Sequence, residues 1–234
     1  TGEEEYLTSA KHIHRLIVSW ERNPAGGISF NDKFAGARFL ANSVTEICDT
    51  VYWNRLSLQL FRLTGEMRYL DEIERGLYNA LLCGVSPDGS WALRRFRLTH
   101  VHVPAHLHFL EGHQCCVDNA PRGLFQAAQS AMLRDGEGIR IAIYEPGRGE
   151  LTLPTGNGLR LSIDGDFLGS GKVKIHVDPE RPETFPISLR LPSWSRKTEI
   201  RVGEETVPTE EGGSWCRIDR EWRKGDRISV GFDI

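Results

Sequence analysis

Residues 113–123 have the sequence His-Gln-Cys-Cys-Val-Asp-Asn-Ala-Pro-Arg-Gly, at the point where a helix-forming first half gives way to a strand-forming second half. Upstream, residues 45–48 have the sequence Thr-Glu-Ile-Cys. Together the two stretches supply one carboxylate and three thiols, those of Glu46, Cys48, Cys115 and Cys116. Zinc prefers about four ligands drawn from Cys, His, Asp and Glu, and thiolates select it over magnesium or calcium. The two stretches are therefore a candidate zinc site.

The spacing of these residues is unusual for zinc, because the chain has no Cys-x-x-Cys pair. Residues two apart on a regular helix, such as Glu46 and Cys48, point about 200° apart, so joint binding requires an irregular first turn. Adjacent cysteines also point in different directions, and binding one ion with both requires a special turn, which Pro121 and Gly123 would suit. Two alternatives stay open here: buried, inert thiols in a reduced protein, or a vicinal disulfide.

A second set of possible metal ligands lies just upstream. Residues 91–114 are rich in histidine and have a β-like or irregular pattern. His100 and His102 alternate, as do His106 and His108, so each pair would share one face of a strand. These imidazoles could bind a metal themselves, or they could be ordinary surface or cleft side chains.

The composition is that of a folded protein. Of 234 residues, 39% are hydrophobic and 26% are charged, which suits two modest domains with buried cores. The net charge is −3 with acids and bases intermixed, so neither a nucleic acid nor a membrane is expected as a partner. No apolar run is long enough to predict a transmembrane helix, and no signal peptide opens the chain. The first residues contain no Met and suit a helix inside a longer protein, so a fragment is expected.

The cysteines indicate a reducing environment. There are five, with no regular spacing: Cys48, Cys83, Cys115, Cys116 and Cys216. This pattern suits a reducing compartment or a metal site better than a disulfide framework. A cytoplasmic location is favoured on this ground.

The first half of the chain predicts helices. Apolar residues recur at three- and four-residue steps, which predicts helices over Glu3–Trp20, Thr45–Leu63, Arg68–Leu82 and Arg122–Leu133. Ser43 or Thr45 is the expected cap of the second helix. Asp135-Gly136-Glu137-Gly138 marks a boundary, so we expect a helical domain over residues 1–135 and a second domain over residues 136–234.

The second half alternates apolar and polar residues between turn signals. The alternation predicts seven strands, over residues 139–143, 159–163, 172–177, 187–191, 199–202, 215–218 and 227–230. Lys224-Gly225-Asp226 is the turn expected before the last of them. Short strands at this spacing are typical of an antiparallel β-sandwich.

Several motifs occur in an order that carries a family resemblance. They lie at residues 45–48, 74–79 (Glu-Arg-Gly-Leu-Tyr-Asn), 86–89 (Ser-Pro-Asp-Gly), 115–123, 189–194 (Leu-Arg-Leu-Pro-Ser-Trp) and 220–226 (Arg-Glu-Trp-Arg-Lys-Gly-Asp). With this order the chain resembles the β-L-arabinofuranosidase family, glycoside hydrolase family 127 and its relatives. The combination of Glu-x-Cys with Cys-Cys is the specific part of the likeness, which covers nearly the whole chain.

The resemblance implies an α+β, multidomain fold, with the later helices of an (α/α)₆-type barrel followed by an antiparallel β-sandwich. It implies Zn²⁺ held by Glu46, Cys48, Cys115 and Cys116, with Cys115 as the nucleophile of a retaining glycoside hydrolase. The implied partner is a carbohydrate, an L-arabinofuranoside or a related glycan. Because family members are two to three times longer, the missing N-terminal part of the barrel, or another copy of the chain, is a further expected partner.

The chain departs from the family pattern at the expected acid/base. The family has a Glu upstream of Glu-x-Cys, whereas this chain has no Glu between Glu21 and Glu46. Asp32 lies in the comparable stretch and is the expected replacement. The histidines that follow Gly-Gly-Ile in the family are also absent, because Ser29 and Phe30 stand there. The alternative function is therefore a non-catalytic carbohydrate-binding or structural relative with a purely structural zinc.

Overall fold

The computed structural model describes residues 3–29, 33–36, 44–90, 92–93, 95–97 and 115–234. Its internal contacts divide the chain into two compact units, Thr1–Ala128 and Gln129–Ile234. Helices dominate the described part of the first unit and largely antiparallel strands make up the second. The expected α+β class is confirmed.

The first unit is built on helices that begin and end close to the expected residues. Its elements are α1 (Glu4–Trp20), β1 (Val44–Glu46), α2 (Ile47–Thr64), α3 (Arg68–Arg75), a π-helix (Gly76–Leu81), a 3₁₀-helix (Leu82–Gly84), β2 (Arg95–Arg97) and α4 (Cys115–Ala131). Strands β1 and β2 pair in antiparallel fashion. The side chain of Trp53 on α2 is buried against Ile17 of α1 and Ile28 of the loop that follows it.

The expected cap of the second helix is wrong. Helix α2 begins only at Ile47, because residues 44–46 form the strand β1 and Glu46 is extended, with φ −107° and ψ 134°. The Thr45 hydroxyl instead accepts a hydrogen bond of 2.9 Å from Asn23 Nδ2. Ser43, the other expected cap, lies outside the described residues. A strand that runs straight into a helix therefore replaces the capped start.

The expected single helix over Arg68–Leu82 is divided into three segments. α3 ends at Arg75, and the chain continues as the π-helix and then as the 3₁₀-helix. The change of winding begins at Gly76, whose Cα faces the Asn54 side chain so closely that a Cβ would clash. π-helical turns cost hydrogen-bond geometry and are seldom signalled by apolar periodicity, so the sequence pattern did not predict this one.

The expected start of the fourth helix is also wrong. α4 begins at Cys115, seven residues before Arg122, and contains Pro121 within it. Proline near a helix start is typical of the first turn, which is why the sequence placed the boundary there. The cysteine pair therefore lies in the first turn of a helix and not in a turn that precedes one.

The second unit contains all seven predicted strands, several of them longer than expected. In chain order its elements are β3 (Met132–Arg134), β4 (Ile139–Ile141), β5 (Gly147–Thr152), β6 (Gly158–Asp166), α5 (Phe167–Ser170), β7 (Lys172–Pro179), β8 (Glu183–Leu191), β9 (Glu199–Val202), β10 (Glu205–Val207), β11 (Ser214–Trp222) and β12 (Asp226–Gly231). The turn before β12 is confirmed, with Gly225 at φ 91°. β3 takes residues that the sequence assigned to the end of a helix.

The strands of this unit form two sheets. One has six antiparallel strands in the order β10-β9-β12-β7-β6-β5, and the other has four in the order β11-β8-β4-β3. The pairing of β4 with β8 is parallel, so the second sheet is mixed and not purely antiparallel as expected. Alternate residues of β7, among them Val173, Ile175 and Val177, are buried, as the period-two pattern predicts.

Candidate metal centre and active site

Glu46 and Cys48 meet at one point because the backbone changes conformation between them. Glu46 is the last residue of β1, and Cys48 is the second residue of α2. The Cys116 Sγ atom lies 3.0 Å from Cys48 Sγ and 3.8 Å from Glu46 Oε1. The extended Glu46 thus removes the separation of about 200° that a regular helix would impose on these two side chains.

The adjacent cysteines occupy the first turn of α4. Their Sγ atoms and that of Cys48 all lie within 4.8 Å of one another. Cys116 is fully buried and Cys115 is exposed, because neighbouring positions on a helix differ by about 100°. Both are free thiols, so the structure does not have the vicinal disulfide that the sequence left open.

Two helix N-termini point at this cluster. Cys48 lies in the first turn of α2, and Cys115 and Cys116 lie in the first turn of α4. The N-terminus of a helix carries a partial positive charge that stabilises a nearby anion. The position therefore favours negative charge on the three sulfur atoms.

Close helix packing sets the distance between these two N-termini. A Cβ atom at Gly123 of α4 would lie 2.7 Å from Val51 Cγ2 of α2 and 2.9 Å from Leu81 Cδ2. Real Cβ atoms do not approach other atoms so closely, so glycine is what allows α4 to lie against α2 here. The contact is one to two helical turns from Cys48 and Cys116.

The loop after α1 supports the strand that carries Glu46. Asn23 Nδ2 donates to Thr45 Oγ1 over 2.9 Å, and Asn23 Oδ1 accepts from the backbone amides of Ala25 and Gly27 over 3.0 and 3.1 Å. Asn23 and Thr45 are both fully buried. The loop is thereby fixed against β1, which holds Glu46 in its extended conformation.

Hydrogen bonds reach Cys48 from α4 as well. Asn119 Nδ2 donates to Cys48 Sγ over 3.2 Å, and Arg122 Nη1 donates to Asn119 Oδ1. The sequence reasoning missed Asn119 and Arg122 as functional residues. The sequence does contain a signal for Asn119: it follows Cys116 by three residues, and positions three apart share one face of a helix.

Burial governs the protonation of the two inner thiols. It raises the pKa of Cys48 and that of Cys116 above the ordinary value for a thiol. A bound cation would oppose this effect, because metal binding requires the thiolate form and releases the thiol protons.

The donor set fits a zinc ion. In a tetrahedral site the Zn–S and Zn–O bond lengths place two sulfurs about 3.8 Å apart and a sulfur and an oxygen about 3.6 Å apart. The observed separations are 3.0 Å for Cys48 and Cys116 and 3.8 Å for Cys116 and Glu46. The separation of Cys116 Sγ and Glu46 Oε1 is close to the tetrahedral value, and the two sulfurs lie closer together than a bound zinc would hold them.

The remaining expected site residues lie outside the described residues. They are Asp32, the expected acid, and the possible ligands His100, His102, His106 and His108. Among the groups that the structure describes, the cluster of Cys48, Cys115 and Cys116 is the one with the geometry for metal binding.

Comparison with protein families assigns both halves of the chain. Residues 1–129 match the model described as β-L-arabinofuranosidase, GH127 catalytic domain. Residues 138–234 match the model of the GH127 middle domain. The chain belongs to glycoside hydrolase family 127. The resemblance inferred from the sequence motifs is confirmed.

Solved structures of glycoside hydrolases, two of them described as GH127 proteins, share the fold. A protein described as a glycoside hydrolase is 21% identical and matches 100% of this chain and 44% of its own, with a TM-score of 0.85. The GH127 β-arabinofuranosidase BT3674 is 23% identical, with coverages of 99% and 40% and a TM-score of 0.84. A GH127 β-L-arabinofuranosidase from Geobacillus stearothermophilus T6 is 20% identical, with coverages of 99% and 39% and a TM-score of 0.80.

The chain spans about two fifths of the length of these three solved structures. Comparison with curated protein sequences gave no match. Within the described residues, none of the helices combines the length and apolar character needed to cross a membrane.

Proposed function

We propose that this GH127 chain carries the zinc centre and the nucleophile of a retaining glycoside hydrolase that acts on L-arabinofuranosides or related glycans. The observation that carries the proposal is the cluster of Cys48, Cys115 and Cys116 in the first turns of two helices, with Glu46 Oε1 3.8 Å from Cys116 Sγ. The name β-L-arabinofuranosidase, which the two matching family models bear, indicates the substrate class.

Cys115 is the proposed nucleophile because it combines membership of the cluster with access from solvent. Its side chain is exposed, whereas that of Cys116 is buried and that of Cys48 is half-buried. A sugar can therefore reach Cys115, and Cys116 serves best as a fixed ligand. Zinc, when bound, stabilises the thiolate form of Cys115 at neutral pH.

The reaction proceeds by double displacement. The Cys115 thiolate attacks the anomeric carbon, a C–S bond forms as the glycosidic C–O bond breaks, and an acid gives its proton to the leaving oxygen. The same residue, now a base, then takes a proton from water, which attacks the anomeric carbon and releases the sugar and the thiolate. Two inversions leave the product with the configuration of the substrate.

Asp32 is the proposed acid/base. Retaining glycosidases place this group about 5 Å from the nucleophile, on the other side of the bond that breaks. Its sequence position supports the proposal, because Asp32 follows Ser29 by three residues. Ser29 Oγ donates to Asp49 in the first turn of α2, one residue from Cys48.

The domain assignment follows from the same proposal. Residues 1–135 would supply helices of an (α/α)₆-type barrel with the zinc site, and residues 136–234 would form a β-sandwich from the two sheets. The helices of the first unit would complete their barrel with further helices, from an N-terminal part of a longer protein or from another copy.

The test is to assay the purified chain for zinc and for hydrolysis of an aryl β-L-arabinofuranoside. About one zinc per chain, together with a product of retained configuration in the proton NMR spectrum, supports the proposal. Zinc without hydrolysis, even with full-length relatives active in parallel, would favour the non-catalytic alternative. Well-folded protein without zinc would remove the mechanism.

A further inference from the structure

We infer that Asn119 and Arg122 form a second layer around the metal centre, in which Asn119 positions the Cys48 sulfur and Arg122 acts through Asn119. The inference rests on the proposed zinc site and assigns two positioning residues to it. It starts from the chain of hydrogen bonds that runs from Arg122 Nη1 to Asn119 Oδ1 and from Asn119 Nδ2 to Cys48 Sγ.

Asn119 is an unusual residue for its position. It is the fifth residue of α4 and its side chain is 8% exposed. Asparagine is a poor helix former and is costly to bury unless its amide is hydrogen-bonded. Both polar atoms of the Asn119 amide are hydrogen-bonded. Its oxygen accepts from Arg122, and its nitrogen donates over 3.2 Å to the Cys48 sulfur on another helix.

The charge of the loaded site explains why such a donor is needed. Three thiolates and one carboxylate leave a zinc centre with two net negative charges. The first turns of α2 and α4 offset part of this charge. Asn119 adds an N–H group aimed at one sulfur, and the Arg122 guanidinium adds a full positive charge that polarises the amide of Asn119 and strengthens its donation.

The hydrogen bond from Asn119 to Cys48 also fixes the position of the Cys48 sulfur. Cys48 could adopt other χ1 rotamers, but the bond to Asn119 holds its Sγ atom 3.0 Å from that of Cys116. Partners that orient metal ligands in this way affect metal affinity by about 10–100-fold. Asn119 and Arg122 need not contact the metal or the sugar to have this effect.

The test measures metal binding and spectra in the 234-residue chain. Asn119→Leu is expected to weaken Zn²⁺ affinity by about 10–100-fold, measured by competition with a chromophoric chelator. With Co²⁺ as the probe, the sulfur-to-cobalt charge-transfer band is expected to shift, because the loss of an N–H donor changes the electron density on the Cys48 sulfur. A change in packing alone would leave the position of this band where it is in the wild type.

Arg122→Ala is expected to weaken Zn²⁺ binding less than Asn119→Leu, and to add nothing when both changes are combined. Such non-additivity is what a residue that acts through another produces. Arg62→Ala is the control, because it removes the same charge from the last turn of α2, about 21 Å along that helix from Cys48. It is expected to leave Zn²⁺ affinity and the Co²⁺ spectrum unchanged.

Asn119→Asp separates the hydrogen bond from the shape of the side chain, since it keeps the size and the acceptor for Arg122 but lacks the N–H donor. It is expected to weaken Zn²⁺ binding at least as much as Asn119→Leu. Wild-type affinity and an unshifted Co²⁺ band in Asn119→Leu and Asn119→Asp would overturn this inference alone. A wild-type chain that binds neither metal would overturn it together with the proposed function.

Discussion

The Sγ atoms of Cys48 and Cys116 lie 3.0 Å apart, although the two residues lie in the first turns of different helices. The contact makes both thiols candidates for shared zinc ligands. Cys116→Ser is expected to lose zinc and to lower the midpoint of thermal unfolding, because zinc binding at a site made by folding contributes to folding stability. Metal analysis and thermal unfolding with and without a chelator check this: the chelator should lower the midpoint of the wild type and leave that of Cys116→Ser unchanged.

Cys216→Ser is the matched control for this prediction. Cys216 is also a buried free thiol, but it lies in β11 and its Sγ faces the carbonyl oxygen of Pro208 at 3.8 Å. The Cys216→Ser variant should lose some stability and keep its zinc. Full zinc content in Cys116→Ser would show that the ligand set is wrong.

Cys115→Ser is expected to abolish turnover with a smaller effect on stability than Cys116→Ser. The hydroxyl is a far weaker nucleophile than a thiolate, and the exposed side chain contributes little to packing. Steady-state hydrolysis of an aryl β-L-arabinofuranoside, measured beside thermal unfolding, checks both parts. Cys83→Ser, which changes another exposed thiol, should keep the wild-type rate. Turnover in Cys115→Ser would exclude Cys115 as the nucleophile.

The strands were predictable because each one buries alternate residues. In β12, for example, Ile228 and Val230 are buried on either side of the exposed Ser229, which is the pattern that the sequence displays. The parallel pairing of β4 with β8 was not predictable, because alternation indicates which face is buried and says nothing of the direction of a neighbouring strand.

The site was predictable in its residue types but not in its backbone. The spacing of Glu46 and Cys48 argued against joint binding on the assumption of a regular helix, and the strand β1 removes that assumption. Pairing of β1 with β2 is a contact between distant parts of the chain. A local pattern cannot report such a contact. The motif order of GH127 supplied what local periodicity lacked.

Asp32→Asn is expected to reduce hydrolysis much more than substrate binding. The amide keeps the size of the side chain but cannot protonate the leaving oxygen. A fall in kcat with little change in KM, and partial recovery with an aryl leaving group of low pKa that needs no proton, check the role. Lys33→Gln tests a neighbouring change and should keep the wild-type kcat. An unchanged rate in Asp32→Asn would assign the acid to another residue.

His14 predicts acid sensitivity of the first unit. Its ring stacks on Trp53 at 4.2 Å and meets the edge of Tyr69 at 4.7 Å, and Ser57 Oγ lies 3.1 Å from its Nε2 atom. Burial and, to a smaller extent, the Arg68 guanidinium lower the pKa of His14 to about 4, against an opposing effect of Glu66.

The unfolded chain binds a proton at His14 below about pH 6.5, whereas the folded chain does so only below about pH 4. The free energy of unfolding therefore falls as the pH falls through this window, by up to about 3 kcal/mol from this group. In His14→Phe, which keeps an aromatic ring, that pH dependence should be weaker than in the wild type. Denaturant unfolding between pH 7.5 and 4.5 measures it.

His12→Gln is the control for the acid prediction, because His12 is an exposed histidine on the same helix. Its stability should follow the pH dependence of the wild type. An equal pH dependence in His14→Phe would show that other groups account for the loss of stability in acid.

Gly123→Ala tests whether helix packing sets the geometry of the metal centre. The added Cβ would lie 2.7 Å from Val51 Cγ2 and 2.9 Å from Leu81 Cδ2, so α4 must move away from α2. Overpacking of this kind costs about 1–3 kcal/mol, against a gain of about 0.5–1 kcal/mol from replacing glycine inside a helix. Because the first turn of α4 would move with the helix, Cys116 would separate from Cys48, and Zn²⁺ affinity is expected to fall together with stability.

Denaturant unfolding and chelator competition measure the two effects of Gly123→Ala separately. Gly136→Ala is the matched control, since a Cβ there meets no atom within 4 Å and should leave both quantities near their wild-type values. A loss of stability with wild-type Zn²⁺ affinity would mean that the ligands hold their positions independently of the contact between α4 and α2. A parallel loss of both ties the metal centre to the glycine that allows the two helices to meet.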